Sequence, residues 1–191
     1  MRTILTFVVM TGLASLCFSF LPDKPVPVTS KIEWLTMEEA YARNKKEPRK
    51  FLVDVYTDWC HWCKVMDRET FTDPRVAEYV NKKYYAVKFN AESRATVKLG
   101  PHTFRFIPQG AKGFNQLAAI MLDGQMSYPS TVFIDEIFMD GKELAVIQAV
   151  PGFLKAKEFH QVVTFFGENY HEQETEWETY KDEIYPKVYG K

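Results

Sequence analysis

Residues 51–64 read FLVDVYTDWCHWCK. Phe51 to Thr57 is a strongly apolar run interrupted by one acid, Asp54, and reads as a strand. Cys60 and Cys63 follow at once, with His61 and Trp62 between them, and a helix is expected to start at this motif and run to about Glu69. The chain holds three cysteines, so two of them meet at one strand-to-helix junction. A redox pair, half of a metal site and a structural staple are the chemistries such a pair offers.

The first turn of a helix carries unpaired N–H groups and the positive end of the helix dipole, so a thiolate at Cys60 is stabilised there. Lowering a thiol pKa raises its thiolate fraction and makes it a better leaving group. Cys63 lies a turn further in and is expected to be more covered than a partly exposed Cys60. That asymmetry gives Cys60 the attack on a partner disulfide and Cys63 the resolution of the mixed disulfide. A structural zinc site needs four ligands, often as two paired clusters. Here there is no second cysteine pair, His61 is adjacent to Cys60, and His102, His160 and His171 are scattered. No metal and no organic cofactor are therefore expected. A purely structural disulfide stays open, although so short a loop gains little from loop closure. Asp54 is a costly residue inside an apolar strand unless it is paired or has a task. It is a candidate proton acceptor for Cys63; a structural acid at a wet edge is the alternative. Pro129, after Tyr128, precedes the strand STVFID at 130–135, where a proline removes no central ladder bond. From spacing alone it is a turn proline.

Outward from this centre the signals alternate between helix and strand. Thr36 with Glu39 forms a capping-box pattern for a helix to about Lys46, which Pro48 ends. Asp73-Pro74 opens a helix through Asn81, and YYAVKFN at 84–90 is the second strand. Residues 91–113 are less regular, with TFRF at 103–106 expected to be part of a hairpin, and a short helix is expected from Phe114 to Leu122. Asp140-Gly141 marks a turn, Leu144 to Val150 a fourth strand, and 153–168 an amphipathic helix with Phe153, Phe159, Val162, Val163 and Phe166 inward. The tail is dense in Glu, Trp and Tyr, and Trp177, Tyr180 and Tyr185 read as core residues of a terminal helix. The pattern as a whole predicts an α/β fold, a mixed sheet covered by helices.

The net charge of −1 gives no basic footprint for nucleic acid. Arg2, the short apolar run Ile4 to Leu16 and the small residues after it follow signal-peptide grammar, with cleavage near Ser19 or Phe20. The run is shorter than the ~20 residues a membrane span needs. A lipid anchor at Cys17 is a minority reading, since Leu16 is a poor residue to precede it. The expected organisation is a signal peptide at 1–19, a linker at 20–31, a domain at 32–168 and a C-terminal helical extension at 169–191. Export would place Cys60 and Cys63 where disulfides persist.

Taken together, VDVYTDWCHWCK at 53–64 and YPSTVFID at 128–135 resemble the thioredoxin superfamily, over roughly residues 32–168. In that resemblance Asp54 is the buried acid, Trp59 the tryptophan before the first cysteine and Lys64 the lysine after the second. Pro129 is the cis-proline that faces the disulfide and helps to hold substrate backbone. The pattern Glu69-Thr70-Phe71, Asp73-Pro74 and Val76 is similar to the exported branch that includes the C-terminal domain of transmembrane thiol-reducing proteins. His61-Trp62 departs from the Gly-Pro of ordinary thioredoxin, and residues 91–127 contain an insertion before the cis-proline strand. The resemblance implies an extracytoplasmic thiol–disulfide oxidoreductase, a reductase or isomerase, without cofactor. It implies catalytic Cys60, Cys63, Asp54 and Pro129, with Trp59, His61, Trp62, Lys64 and Tyr128 touching substrate or tuning the pair. Its partners would be cysteine-containing proteins and a recharging redox protein, and the protein would be a monomer with no membrane span after signal cleavage. A disulfide oxidase, or a binding module of the same fold with weak turnover, are the alternatives.

Overall fold

The computed structural model describes residues 31–135 and 144–190. The expected signal segment, nearly all of the linker and the Asp140-Gly141 turn lie outside the described residues. The central sheet is built from β1 (Trp34–Leu35), β2 (Lys50–Tyr56), β3 (Tyr84–Asn90), β8 (Ser130–Ile134) and β9 (Val146–Pro151), in the order β1-β3-β2-β8-β9. β1 and β2 run parallel to β3, whereas β8 is antiparallel to both β2 and β9. This is the mixed sheet flanked by helices of the thioredoxin-like fold.

β2 lies at the centre and is buried from Phe51 to Val55. Side chains alternate between the two faces of a strand, and each face has its own core. Phe51, Val53 and Val55 pack with α1 (Met37–Asn44) and α4 (Gln116–Met121), through Met37, Tyr41, Leu117 and Met121. Leu52 faces α2 (His61–Glu69), α3 (Pro74–Lys83) and α5 (Ala156–Gly167), through Met66, Val76, Val80, Phe159 and Val163. The helices start where their caps dictate. The Thr36 hydroxyl accepts from the Glu39 N–H at 3.2 Å, and the Thr36 N–H donates to the Glu39 carboxylate at 2.8 Å, the reciprocal pair read from the sequence. Asp73 accepts from the N–H groups of Arg75 and Val76, with Pro74 in the first turn.

TFRF does fall within hairpins, and two other expectations need correction. β4 (Val97–Leu99) pairs with β5 (His102–Phe104), and β6 (Phe106–Gln109) pairs with β7 (Lys112–Asn115), so Arg105 separates two hairpins. Phe114 is not the start of a helix. It pairs with Ile107 in β7, and α4 begins at Gln116 because the Asn115 side chain caps it, accepting from the Leu117 N–H at 3.0 Å. Phe153 precedes α5, whose first turn is fixed by the Glu158 carboxylate accepting from the Lys155 N–H.

The tail closes the second core. A 3₁₀ turn (Tyr170–Gln173) leads to a helical run from Trp177 to Tyr189, π-wound between Tyr180 and Ile184. Tyr180 is fully buried, and its hydroxyl donates to Thr164 Oγ1 at 2.6 Å. The Tyr185 hydroxyl lies 2.9 Å from His160 Nδ1. α5 is thus covered by the sheet on one side and the tail on the other, and every residue from Phe159 to Phe166 is buried.

Candidate active site

β2 ends at Tyr56, and the chain turns over Asp58 and Trp59 into α2. The Cys60 N–H donates to the Thr57 carbonyl at 3.1 Å. Cys60 is the N-cap of α2, and its Sγ accepts from the Cys63 N–H at 3.1 Å. The two sulfurs are joined in a disulfide, with the Cα atoms 5.4 Å apart. Both residues are covered, Cys60 4% exposed and Cys63 2% exposed. The expected difference in depth is therefore absent from the disulfide form. What distinguishes the cysteines is position: Cys60 Sγ stands at the helix cap with an N–H aimed at it, and Cys63 lies inside the first turn. A negative sulfur is favoured at the first of these.

The surroundings of the pair are aromatic and open. Trp59, before Cys60, and Trp62, between the two covered cysteines, are 62% and 55% exposed. Trp62 packs against Phe153 with ring centroids 5.3 Å apart, and His61 lies edge-on to Trp62. Trp59 meets the ring of Tyr128 at 5.9 Å. The Tyr128–Pro129 peptide is cis. Ser130, the next residue, pairs with Val55 at the C-terminal end of β2, so Tyr128 and Pro129 reach the loop that carries the cysteines. The Pro129 carbonyl accepts from the Gly152 N–H at 2.8 Å. Lys64 is exposed on α2.

Asp54 is 1% exposed and shares the strand face of Leu52, the face that α2 covers. Its Oδ2 accepts from Lys88 Nζ at 2.6 Å, and Lys88 is its register partner on β3. Burial pushes the Asp54 carboxyl up to about 6, although the Lys88 ammonium pulls it down. Lys88 also forms an ion pair with Asp67 on α2. Burial opposes the Lys88 charge, but the two carboxylates outweigh it and hold its pKa above the ordinary lysine value. The ammonium lies 5.0 Å from the ring centroids of Trp34 and Phe71 and 5.2 Å from that of Tyr56. Asp67 follows Cys63 by four residues and so shares its helix face. A chain of contacts therefore runs from the cysteine helix through Asp67 and Lys88 to Asp54. Asp54 Oδ1 has no hydrogen-bond partner among the described residues, and neither has the buried hydroxyl of Thr131, opposite Asp54 on β8. Asp54 can take a proton on this free oxygen without releasing Lys88.

The sequence-predicted residues thus gather at one end of the sheet: Cys60, Cys63, Trp59, His61, Trp62, Tyr128 and Pro129 around the disulfide, and Asp54 within the face below α2. Lys88 and Asp67 were missed. Lys88 had a signal, since YYAVKFN places one charge in an otherwise apolar strand, the counterpart of Asp54 in FLVDVYT.

A family model named Thioredox_DsbH, described as a protein of unknown function, DUF255, matches residues 26–188. The chain belongs to this family. It is a thioredoxin-superfamily domain resembling the thiol-redox domains of the DsbD and DsbH type. Among curated relatives, thiol:disulfide interchange protein DsbD of Haemophilus ducreyi is 28% identical over 142 residues, 72% of this chain and 20% of that protein. An uncharacterised protein of Caenorhabditis elegans is 31% identical over 67 residues, 35% of this chain and 9% of that protein. The Thioredox_DsbH chain thus spans a small part of the length of either. A solved thioredoxin-fold protein from Helicobacter pylori superposes with a TM-score of 0.51 at 17% identity, covering 75% of this chain and 95% of that one, which supports the fold. Among the described residues no helix is long and apolar enough to cross a membrane.

Proposed function

We propose that this protein is an extracytoplasmic thiol–disulfide oxidoreductase that reduces or isomerises disulfides of other proteins. The observation that carries this reading is the Cys60–Cys63 disulfide at the start of α2, on the sheet face that also holds the Asp54–Lys88 pair. In the reduced protein the Cys60 thiolate attacks one sulfur of a partner disulfide. The partner S–S bond breaks, one partner thiolate leaves and takes a proton, and a mixed disulfide forms. Cys63 then gives its proton to Asp54 Oδ1, and its thiolate attacks Cys60 Sγ. The mixed disulfide breaks, the second partner thiol leaves, and two electrons have passed to the partner. A dithiol redox protein returns the pair to the reduced state. A carboxyl titrating at about 6 is ionised at neutral pH, yet basic enough to receive a thiol proton.

Trp59 and Trp62 supply broad surfaces for a partner beside the covered sulfurs, and His61, Lys64 and Tyr128 tune or line the approach. The reducing direction draws on the likeness to DsbD, and the export reading on residues 1–19. Insulin reduction driven by dithiothreitol tests the proposal: the protein should accelerate insulin precipitation well beyond dithiothreitol alone. Absence of acceleration would leave a binding module of the same fold. A Cys60/Cys63 potential near about −270 mV supports a reductant, and one near about −120 mV an oxidase.

A further inference from the structure

The second hairpin of the insertion meets Trp59, the residue before Cys60, and builds one wall of a recess there. Its root is rigid. Asn115 is fully buried, its N–H donates to the Ala91 carbonyl at 2.7 Å, and its amide donates to the carbonyls of Ser93 and Ala95. The Arg94 guanidinium covers Phe106 at 4.6 Å. Gly113 is required by close packing, since a Cβ there would sit 2.4 Å from both the Ile107 carbonyl oxygen and the Phe106 ring. Lys112 projects from this frame to 6.0 Å from the Trp59 ring centroid, and the Trp59 indole N–H donates to Glu92 at 3.1 Å. Between the hairpin, the end of α4 and the loop before Pro129 lies a cavity of about 420 Å³, lined by Trp59, Lys112, Phe114, Ala119, Met126 and Tyr128 among others.

We infer that this recess is a specificity pocket for a large apolar side chain, aromatic or long aliphatic, next to the cysteine of a protein substrate. The inference rests on the redox reading above and names the substrate feature it selects. Two of the lining residues are the chain neighbours of reacting or adjoining positions: Trp59 precedes Cys60 and Tyr128 precedes Pro129. A polypeptide disulfide-bonded to Cys60 must therefore carry its flanking residues past the mouth of the recess. The volume lies within the range of preformed ligand pockets. Three aromatic rings and Met126 offer apolar contact, and the Glu92 carboxylate, which accepts from the Trp59 indole, shares the lining with the Lys112 ammonium. A basic side chain entering here would lose its own water, and with one ammonium (Lys112) and one carboxylate (Glu92) in the lining it would gain no net charge attraction in return. A glycine would leave the cavity unfilled.

Competition between peptide disulfides tests this. Short cysteine peptides, each in mixed disulfide with glutathione, carry Phe, Gly or Lys on either side of the cysteine. The reduced protein should release the Phe-flanked peptide about tenfold faster than the Gly- or Lys-flanked ones, for one of the two flanks. Ala119→Phe, which fills the recess, should bring the Phe-to-Gly ratio close to one. Met126→Ala, which opens its wall, serves as the second variant and should lower the ratio too. Turnover of all peptides with a ratio near one at both flanks would overturn the pocket and leave the redox reading intact. A wild-type preference that persists in both folded variants would also overturn it, by placing the selectivity elsewhere. Failure to react with any of the peptides or with glutathione disulfide would remove the redox reading, and this inference with it.

Discussion

Asp54→Asn separates what the buried acid does for chemistry from what it costs the fold. Asp54 rises from an ordinary value of 3.8 to about 6, with burial as the largest cause. At about 1.36 kcal/mol for each pKa unit, that rise corresponds to about 3 kcal/mol against the ionised form. The sign follows from the direction. Below 3.8 the carboxyl is neutral in both folded and unfolded chains and costs nothing. As pH climbs the unfolded chain ionises first, and the full penalty is present above about 6. Asparagine keeps the shape and does not titrate. Denaturant unfolding should therefore find the variant up to about 3 kcal/mol more stable than wild type at pH 7.5, with the gap closing toward pH 4. Function should move the other way. Loss of a positioned proton acceptor slows a step by about 10²-fold, so decay of the mixed disulfide should slow by that order at neutral pH. The defect should shrink in alkali, where hydroxide deprotonates Cys63 directly. In wild type the same decay should slow as pH falls through about 6. Rapid-quench trapping from pH 5 to 9 measures both limbs. Equal decay rates in wild type and variant throughout would refute the proton-acceptor role, and a stability gap that does not change with pH would refute the raised carboxyl.

Cys63→Ser should accumulate a mixed disulfide through Cys60 when offered a protein disulfide, and tryptic mapping of the adduct identifies the linked cysteine; linkage favouring Cys63 in Cys60→Ser would reverse the assigned roles. Asp67→Asn removes a carboxylate that shares Lys88 with Asp54 and repels its charge, so the acid limb of mixed-disulfide decay should move to lower pH with little change in the plateau; an unmoved limb would reduce Asp67 to a surface ion pair. Tyr180→Ala empties a fully buried ring site between α5 and the tail and should cost about 3–5 kcal/mol in urea unfolding. A loss below about 1 kcal/mol would mean that the tail is dispensable to the core.

The parts of the fold that were legible are those whose local signals agree with the packing. Thr36 and Glu39 form the box they spell, Pro74 stands in a first helical turn, and STVFI at 130–134 is a strand buried throughout. The insertion was not legible because its strands are short and held by distant groups. KGFN at 112–115 carries no strand pattern; Asn115 makes it one, by tying the hairpin root to Ala91, Ser93 and Ala95. The tail was half legible. FHQVVTFF at 159–166 is apolar around most of its circumference, which already demands a cover on both sides of α5. Which tyrosines supply it depends on the π-wound turn at Tyr180–Ile184, and no simple period announces that.

At the site, residue type was readable and linkage was not. A lone acid in FLVDVYT invites a catalytic role, yet an acid with no partner in that core would stay neutral at pH 7 and accept nothing. Lys88 changes this. Sitting opposite Asp54 in register, it stabilises the carboxylate enough to bring its titration to about 6 rather than higher. Lys88 is itself kept charged by a second carboxylate, and that one belongs to the cysteine helix. The proposed proton acceptor, its counter-ion and the cysteine helix are therefore one electrostatic unit, with the unpartnered oxygen on Asp54. A shift of α2 when the disulfide opens would change the Asp67–Lys88 contact and, through it, the proton affinity of the carboxyl proposed to receive the Cys63 proton.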